Sequence, residues 1–175
     1  CQSPEPQQSP ADKELLRSVR RGDMPGLKMS FAEGASPNAR DSSGRTAPTL
    51  AAIADKPDIL KELVSKGADP DVADKMGNAP LHSAAATGSK ASVKALLEAK
   101  ASLDARNSYG WTPLAEAARM GNIDALEELL AAGASVESVD RQGKTPLMHA
   151  AYSTRNSEKS VPALLKKGAS VEKAD

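Results

Sequence analysis

The chain carries 175 residues, 23 of them basic and 23 acidic, so it has no net charge at neutral pH. That balance excludes nucleic acid as the main partner, because phosphate binding rests on a clustered positive surface. Only Phe31, Tyr109, Trp111 and Tyr152 are aromatic, so a core must be assembled from many small helix-forming side chains, alanine and leucine above all.

Cys1 is the single cysteine, and the residues after it, QSPEPQQSP, are too polar and proline-rich to fold. Residues 1–11 are expected to form an extended tether reaching roughly 30 Å, at about 3.1 Å per residue. A cysteine heading a polar tether resembles a mature bacterial lipoprotein. The resemblance implies a lipidated Cys1, with a diacylglyceryl group on the thiol and an acyl chain on the amine. Gln2, standing where Asp would signal retention, implies the outer membrane, with the remainder of the chain in the periplasm. Several acyl chains, at about 0.8 kcal/mol per buried methylene, hold a protein on a membrane far more firmly than one. The other reading is a chain that merely begins at a cysteine and is a soluble periplasmic or cytoplasmic fragment. No stretch is apolar enough to span a bilayer.

Ser9-Pro10-Ala11-Asp12 reads as a helix start, with a serine cap, proline in the first turn and an acid three positions on. Two helices are expected within residues 12–40, with Leu15, Leu16, Val19, Leu27 and Phe31 facing inward and a break at Gly22-Asp23. Their charged outer face, including Lys13, Arg17, Arg20 and Arg21, suits an N-terminal cap. Gly44, Gly77, Gly110 and Gly143 then follow at intervals of 33 residues, opening the related strings GRTAPTLAA, GNAPLHSAA, GWTPLAEAA and GKTPLMHAA. Asp41, Asp74, Asn107 and Asp140 precede these glycines by three, where a short acceptor closes a turn onto its own backbone. Paired alanines at 51–52, 84–85, 117–118 and 150–151 let neighbouring first helices approach closely. The units are therefore read as 41–73, 74–106, 107–139 and 140–175. In the third, Thr112-Pro113 opens a first helix, and Gly121-Asn122 breaks it before a second over about 123–131.

Several positions depart from the pattern. In the first unit proline arrives one residue late, at Ala47-Pro48, and Asp55 replaces the inter-helix glycine. Lys100 stands where Gly34, Gly67 and Gly133 end their helices, so it should take a left-handed backbone at a cost of roughly 1–2 kcal/mol. The fourth unit holds a two-residue insertion, expected within 153–160, which would place Pro162 in the first turn of a late-starting helix. Leu147, Ala150, Leu164 and Leu165 in the last helices are expected to leave an apolar flank for a further repeat or a partner.

With four matches in register, residues 12–175 resemble the ankyrin-repeat family. The resemblance implies an all-α ankyrin-repeat solenoid of stacked helix-turn-helix repeats with short β-hairpin loops, and a module that binds proteins. It also implies that His82, in Pro80-Leu81-His82, hydrogen-bonds the neighbouring hairpin backbone. Catalysis is not expected. Cys1 sits in the tether away from both histidines, and no zinc spacing or phosphate loop appears, so neither a metal nor another cofactor is expected. Glu116 and His149 share a slot in adjacent repeats and are expected to form a pair.

The candidate partner-binding residues lie at the hairpin tips and at the ends of the first helices. Met76, Asn78, Arg106, Tyr109 and Trp111 belong to the second and third units, and Arg119 and Met120 end the third unit's first helix. Arg141, Lys144 and Tyr152 complete the set in the fourth. Trp, Tyr and Arg are enriched among interface hot spots. The competing reading has Tyr109 and Trp111 packing on neighbouring hairpins to stiffen the stack. The expected function is that of a stoichiometric binder that masks or inhibits an envelope enzyme, for example a peptidoglycan hydrolase, for self-protection. The alternative is a scaffold or stabiliser of a periplasmic protein such as a peroxide-detoxifying enzyme.

Overall fold

The computed structural model describes residues 8–171, among which ten helices form in consecutive pairs. These are α1 Pro10–Arg21 with α2 Met24–Ala32, α3 Ala47–Ile53 with α4 Pro57–Ser65, α5 Pro80–Thr87 with α6 Lys90–Glu98, α7 Pro113–Met120 with α8 Ile123–Ala131, and α9 Pro146–Tyr152 with α10 Ser157–Lys166. First helices pack in one row (α1, α3, α5, α7, α9) and the second helices α4, α6, α8 and α10 in another. The result is the expected all-α solenoid. Its hairpins are turns rather than ladders of strands, with one isolated bridge, Arg40 to Thr46, among the described residues.

The core runs between the two rows. Leu15, Leu27, Leu60, Leu63, Leu81, Leu96, Leu114, Leu126, Leu129 and Leu164 are fully buried, and the alanines 51, 52, 84, 85, 117, 118 and 150 show no exposure. Small side chains in the first helices bring one backbone close to the next, and leucines from the second helices fill the space behind them.

Local signals set the helix ends. Ser9 Oγ accepts the Asp12 N–H at 3.0 Å and Asp12 Oδ2 accepts the Ser9 N–H at 3.2 Å. This reciprocal cap starts α1 at Pro10, so residues 10 and 11, counted with the tether above, are the first turn of the helix. Thr46, Thr112 and Thr145 cap α3, α7 and α9 through the N–H groups of Thr49, Ala115 and Met148. The late Pro48 therefore lands one position further into the first turn, where an N–H has no partner within the helix anyway.

Neighbouring repeats are strapped by a row of side-chain acceptors at a constant interval. Oδ1 of Asn38, Asp71 and Asp104 takes the N–H of Asp69, Ser102 and Ser135 at 2.9, 2.7 and 3.0 Å, and Glu137 Oε1 takes that of Ser170 at 2.7 Å.

The irregular positions resolve individually. Asp55, Lys100 and Asn156 all adopt positive φ, at 50°, 60° and 52°. Lys100 thus holds the left-handed corner that glycine holds elsewhere. Asp55 gains from its corner by receiving the hydroxyls of both Ser89 and Ser92 in the next repeat. Two expectations need correction. Pro162 lies inside α10 and not in its first turn, because the helix begins at Ser157, directly after the Asn156 corner. Asn156 Nδ2 donates to the Gly121 carbonyl at 2.9 Å, fixing that corner against the preceding repeat and confining the insertion to the loop before it. The expected apolar flank is also mostly covered. Leu147, Ala150 and Leu164 are buried between α7, α9 and α10, and of the four only Leu165 is exposed.

Candidate partner-binding face

Each hairpin is closed by the residue three places before its glycine. Oδ1 of Asp41 accepts the N–H groups of Ser43 and Arg45, and Asp74 does the same for Met76 and Asn78. Asn107 Oδ1 takes those of Tyr109 and Trp111, and Asp140 Oδ1 those of Gln142 and Lys144. Hairpins also join one to the next, since Ser108 N–H donates to the Met76 carbonyl at 2.9 Å and Arg141 N–H to the Tyr109 carbonyl at 3.1 Å. A Cβ at Gly110 would lie 2.9 Å from the Arg141 nitrogen, and the residue has φ of 80°, so both the approach and the conformation require glycine.

With one carboxylate oxygen committed to the turn, the other is left to neighbouring side chains, and its partners differ along the row. Asp41 Oδ2 binds Arg45 at 2.7 Å and Arg20 at 3.0 Å. Asp140 Oδ2 instead accepts Trp111 Nε1–H at 3.0 Å from the preceding hairpin and bonds His149 Nε2 at 2.9 Å. Burial by itself would raise the Asp140 carboxyl. The N–H groups of Lys144 and Gln142, then His149 and Trp111, outweigh it and hold the group below the ordinary Asp value. Asp41 is likewise held low, its burial outweighed by Arg45 and the turn N–H groups.

Trp111 is the centre of a packed cluster. Tyr109 stacks on it with ring centroids 4.6 Å apart, His149 meets it edge-on at 5.7 Å, and the Arg119 guanidinium lies over its ring at 4.8 Å. Arg119 is held in turn by Glu116 at 2.7 Å. Glu116 therefore does not pair with His149, as the shared slot suggested; each takes a nearer partner, Arg119 one turn along α7 and Asp140 in the same repeat. His82 does reach the next hairpin, with Nε2 2.9 Å from the Trp111 carbonyl while Nδ1 accepts the Ala79 N–H at 3.2 Å. That second bond serves the one first helix after α1 whose cap position carries no hydroxyl.

The ten candidate residues divide into those the stack uses and those it leaves outward. Trp111 is half-buried and tied to Asp140. Asn78 is half-buried, bonded to Asp74 at 3.4 Å and to Asn107 at 2.9 Å. Arg106 donates to the carbonyls of Gly110 and Val139 and so straps two repeats. Met120 is half-buried at the end of α7. Met76, Tyr109 and Tyr152 are outward at 45%, 48% and 80% exposure, and Arg119 and Arg141 are exposed. Lys144 reaches over the Tyr152 ring, 5.7 Å from its centroid. Cys1 lies outside the described residues. Sequence reasoning missed the link from Trp111 to Asp140; its only trace is that residue 140 is an acid in a slot shared with Asn107, with His149 nine residues on.

A family model described as ankyrin repeats (3 copies) matches residues 15–107 and again 93–175. No curated protein matches the chain.

Proposed function

Because the chain belongs to the ankyrin-repeat family, we propose that it acts as a stoichiometric binder of a folded partner, masking an envelope enzyme such as a peptidoglycan hydrolase on the periplasmic side of an outer membrane. That it is a protein-interaction module follows from the family itself. The observation supporting a tight, masking binder is the order already present in Tyr109, Trp111 and Arg119. Stacking, the Asp140 bond and the Glu116 ion pair hold these side chains in place before any partner arrives. Little rotamer entropy is then left to lose on binding.

The location rests on Cys1 and Gln2 alone. Among the described residues no helix is long and apolar enough to cross a membrane, so in this reading attachment is through the lipid on Cys1. Replacing Cys1 by serine in the precursor should move the protein from the membrane fraction to the soluble fraction. Recovery of the unaltered protein with soluble cytoplasm would remove the periplasmic proposal.

Affinity capture from a periplasmic extract, followed by assay of the captured protein with and without the chain, tests the function. Loss of the captured enzyme's activity supports masking. Unchanged activity points to the scaffold or stabiliser, for instance of a peroxide-detoxifying enzyme, and failure to capture any protein counts against both.

A further inference from the structure

The cations along the hairpin edge are nearly all consumed within the molecule. Arg20 and Arg45 are taken by Asp41, and Arg119 is taken by Glu116. Lys144 is one of two exceptions, and the structure shows why. It occupies the same place after the hairpin glycine as Arg45, and Asp140 occupies the place of Asp41. In the first full repeat this pair closes into an ion pair at 2.7 Å. In the fourth, the matching oxygen of Asp140 already holds Trp111 Nε1–H and His149 Nε2, so Lys144 turns to the ring of Tyr152. Arg141, whose stem crosses Gly110, likewise has no carboxylate among the described residues.

Resting on the reading of this face as the partner-binding face, we propose that Lys144, with Arg141 beside it, receives a carboxylate from an acidic segment of a partner protein. Tyr109 and Tyr152 supply the apolar contact on either side. Charge complementarity selects the occupant, because exposed Arg141 and half-buried Lys144 have no internal carboxylate among the described residues while the hairpin acids Asp41, Asp74 and Asp140 are turned into their own loops. A nucleic acid fits less well. Its bases need open aromatic faces, and the Trp111 ring is already covered by Tyr109 and Arg119.

Random peptides displayed on phage and selected on the intact chain provide the test, with the winners resynthesised and titrated at low and high salt. The expected winners share an Asp or Glu, weaken with salt, and bind Lys144→Glu about tenfold or more weakly, the loss of a charged contact at an interface. The melting temperature of that variant should fall only slightly, since Lys144 gives up the Tyr152 ring contact but no internal carboxylate. Trp111→Phe should weaken the same peptides, because Asp140 Oδ2, then held by His149 alone, can draw Lys144 inward as Asp41 draws Arg45. Winners without acidic bias that nonetheless lose affinity on Tyr109→Ala would overturn this inference and leave the binding face standing. Winners indifferent to both Tyr109→Ala and Lys144→Glu, or no winners, would overturn both. Binding of an oligothymidylate that is lost in Lys144→Glu would overturn the acidic-protein assignment in favour of nucleic acid.

Discussion

Trp111 sits at a hairpin, a position where sequence reasoning expects a side chain of little consequence for folding. Its contacts say otherwise, since the indole donates to a buried carboxylate and carries Tyr109 and Arg119 on its ring. Trp111→Ala should therefore lower stability by about 2 kcal/mol, the scale of a hydrogen bond to a charged group with part of an aromatic side chain's burial. Denaturant unfolding measures this, and a change near zero would restore the view of Trp111 as a pure contact residue. His82 makes a second prediction at this scale. Burial lowers its pKa, against the pull of the Trp111 carbonyl, and Nδ1 is an acceptor for Ala79 N–H, a role that protonation abolishes. As pH falls through roughly 6.5 the unfolded chain takes up the proton first, so stability is lost until the folded imidazole protonates as well. Melting temperatures between neutral and mildly acidic pH should decline, and His82→Gln should flatten the decline. The His82 contact was legible from its motif, whereas the Asp140 bond was not, because no periodicity specifies which of several side chains reaches a carboxylate's second oxygen.

Elements were more legible than contacts. The glycine spacing, the Thr-Pro starts and the alanine pairs located the helix pairs because each signal acts within one turn of its own helix. The failure at α10 is of the opposite kind. Proline in a helix interior removes an N–H and crowds the preceding carbonyl, so local chemistry argued for a start near Pro162. A tertiary bond prevailed, Asn156 anchoring on the Gly121 carbonyl and starting the helix at Ser157. The proline is thus a retained defect. Pro162→Ala should stabilise the chain by about 2 kcal/mol, less than the full helix penalty because alanine also loosens the unfolded chain. A melting temperature that falls instead would show that α10 depends on the ring. Buried Leu147 and Leu164 mark the same limit, since counting apolar residues cannot tell which face of a terminal helix is already covered.

For the whole molecule, the strap row gives the first three junctions the same fitting, Asn38 to Asp69, Asp71 to Ser102, and Asp104 to Ser135, while Glu137 to Ser170 closes the fourth with a longer side chain. Whatever ends in the donor of one such joint begins the acceptor of another, which makes the inner repeats interchangeable parts. Excising residues 74–106 would bring Asp71 opposite Ser135, α3 beside α7, and the Ser43 carbonyl beside Ser108. Removing that entire block leaves every remaining joint paired, whereas deleting Asp71 alone takes away the acceptor for Ser102 and mismatches the one junction it serves. The shortened chain is expected to keep its helical circular-dichroism spectrum and a single cooperative melt at a lower temperature, as a stack with fewer junctions must. A lineage built this way can gain or lose a repeat in one step and stay folded, so the distance between the basic α1 face and the Lys144 site is a length that recombination can reset in increments of one repeat.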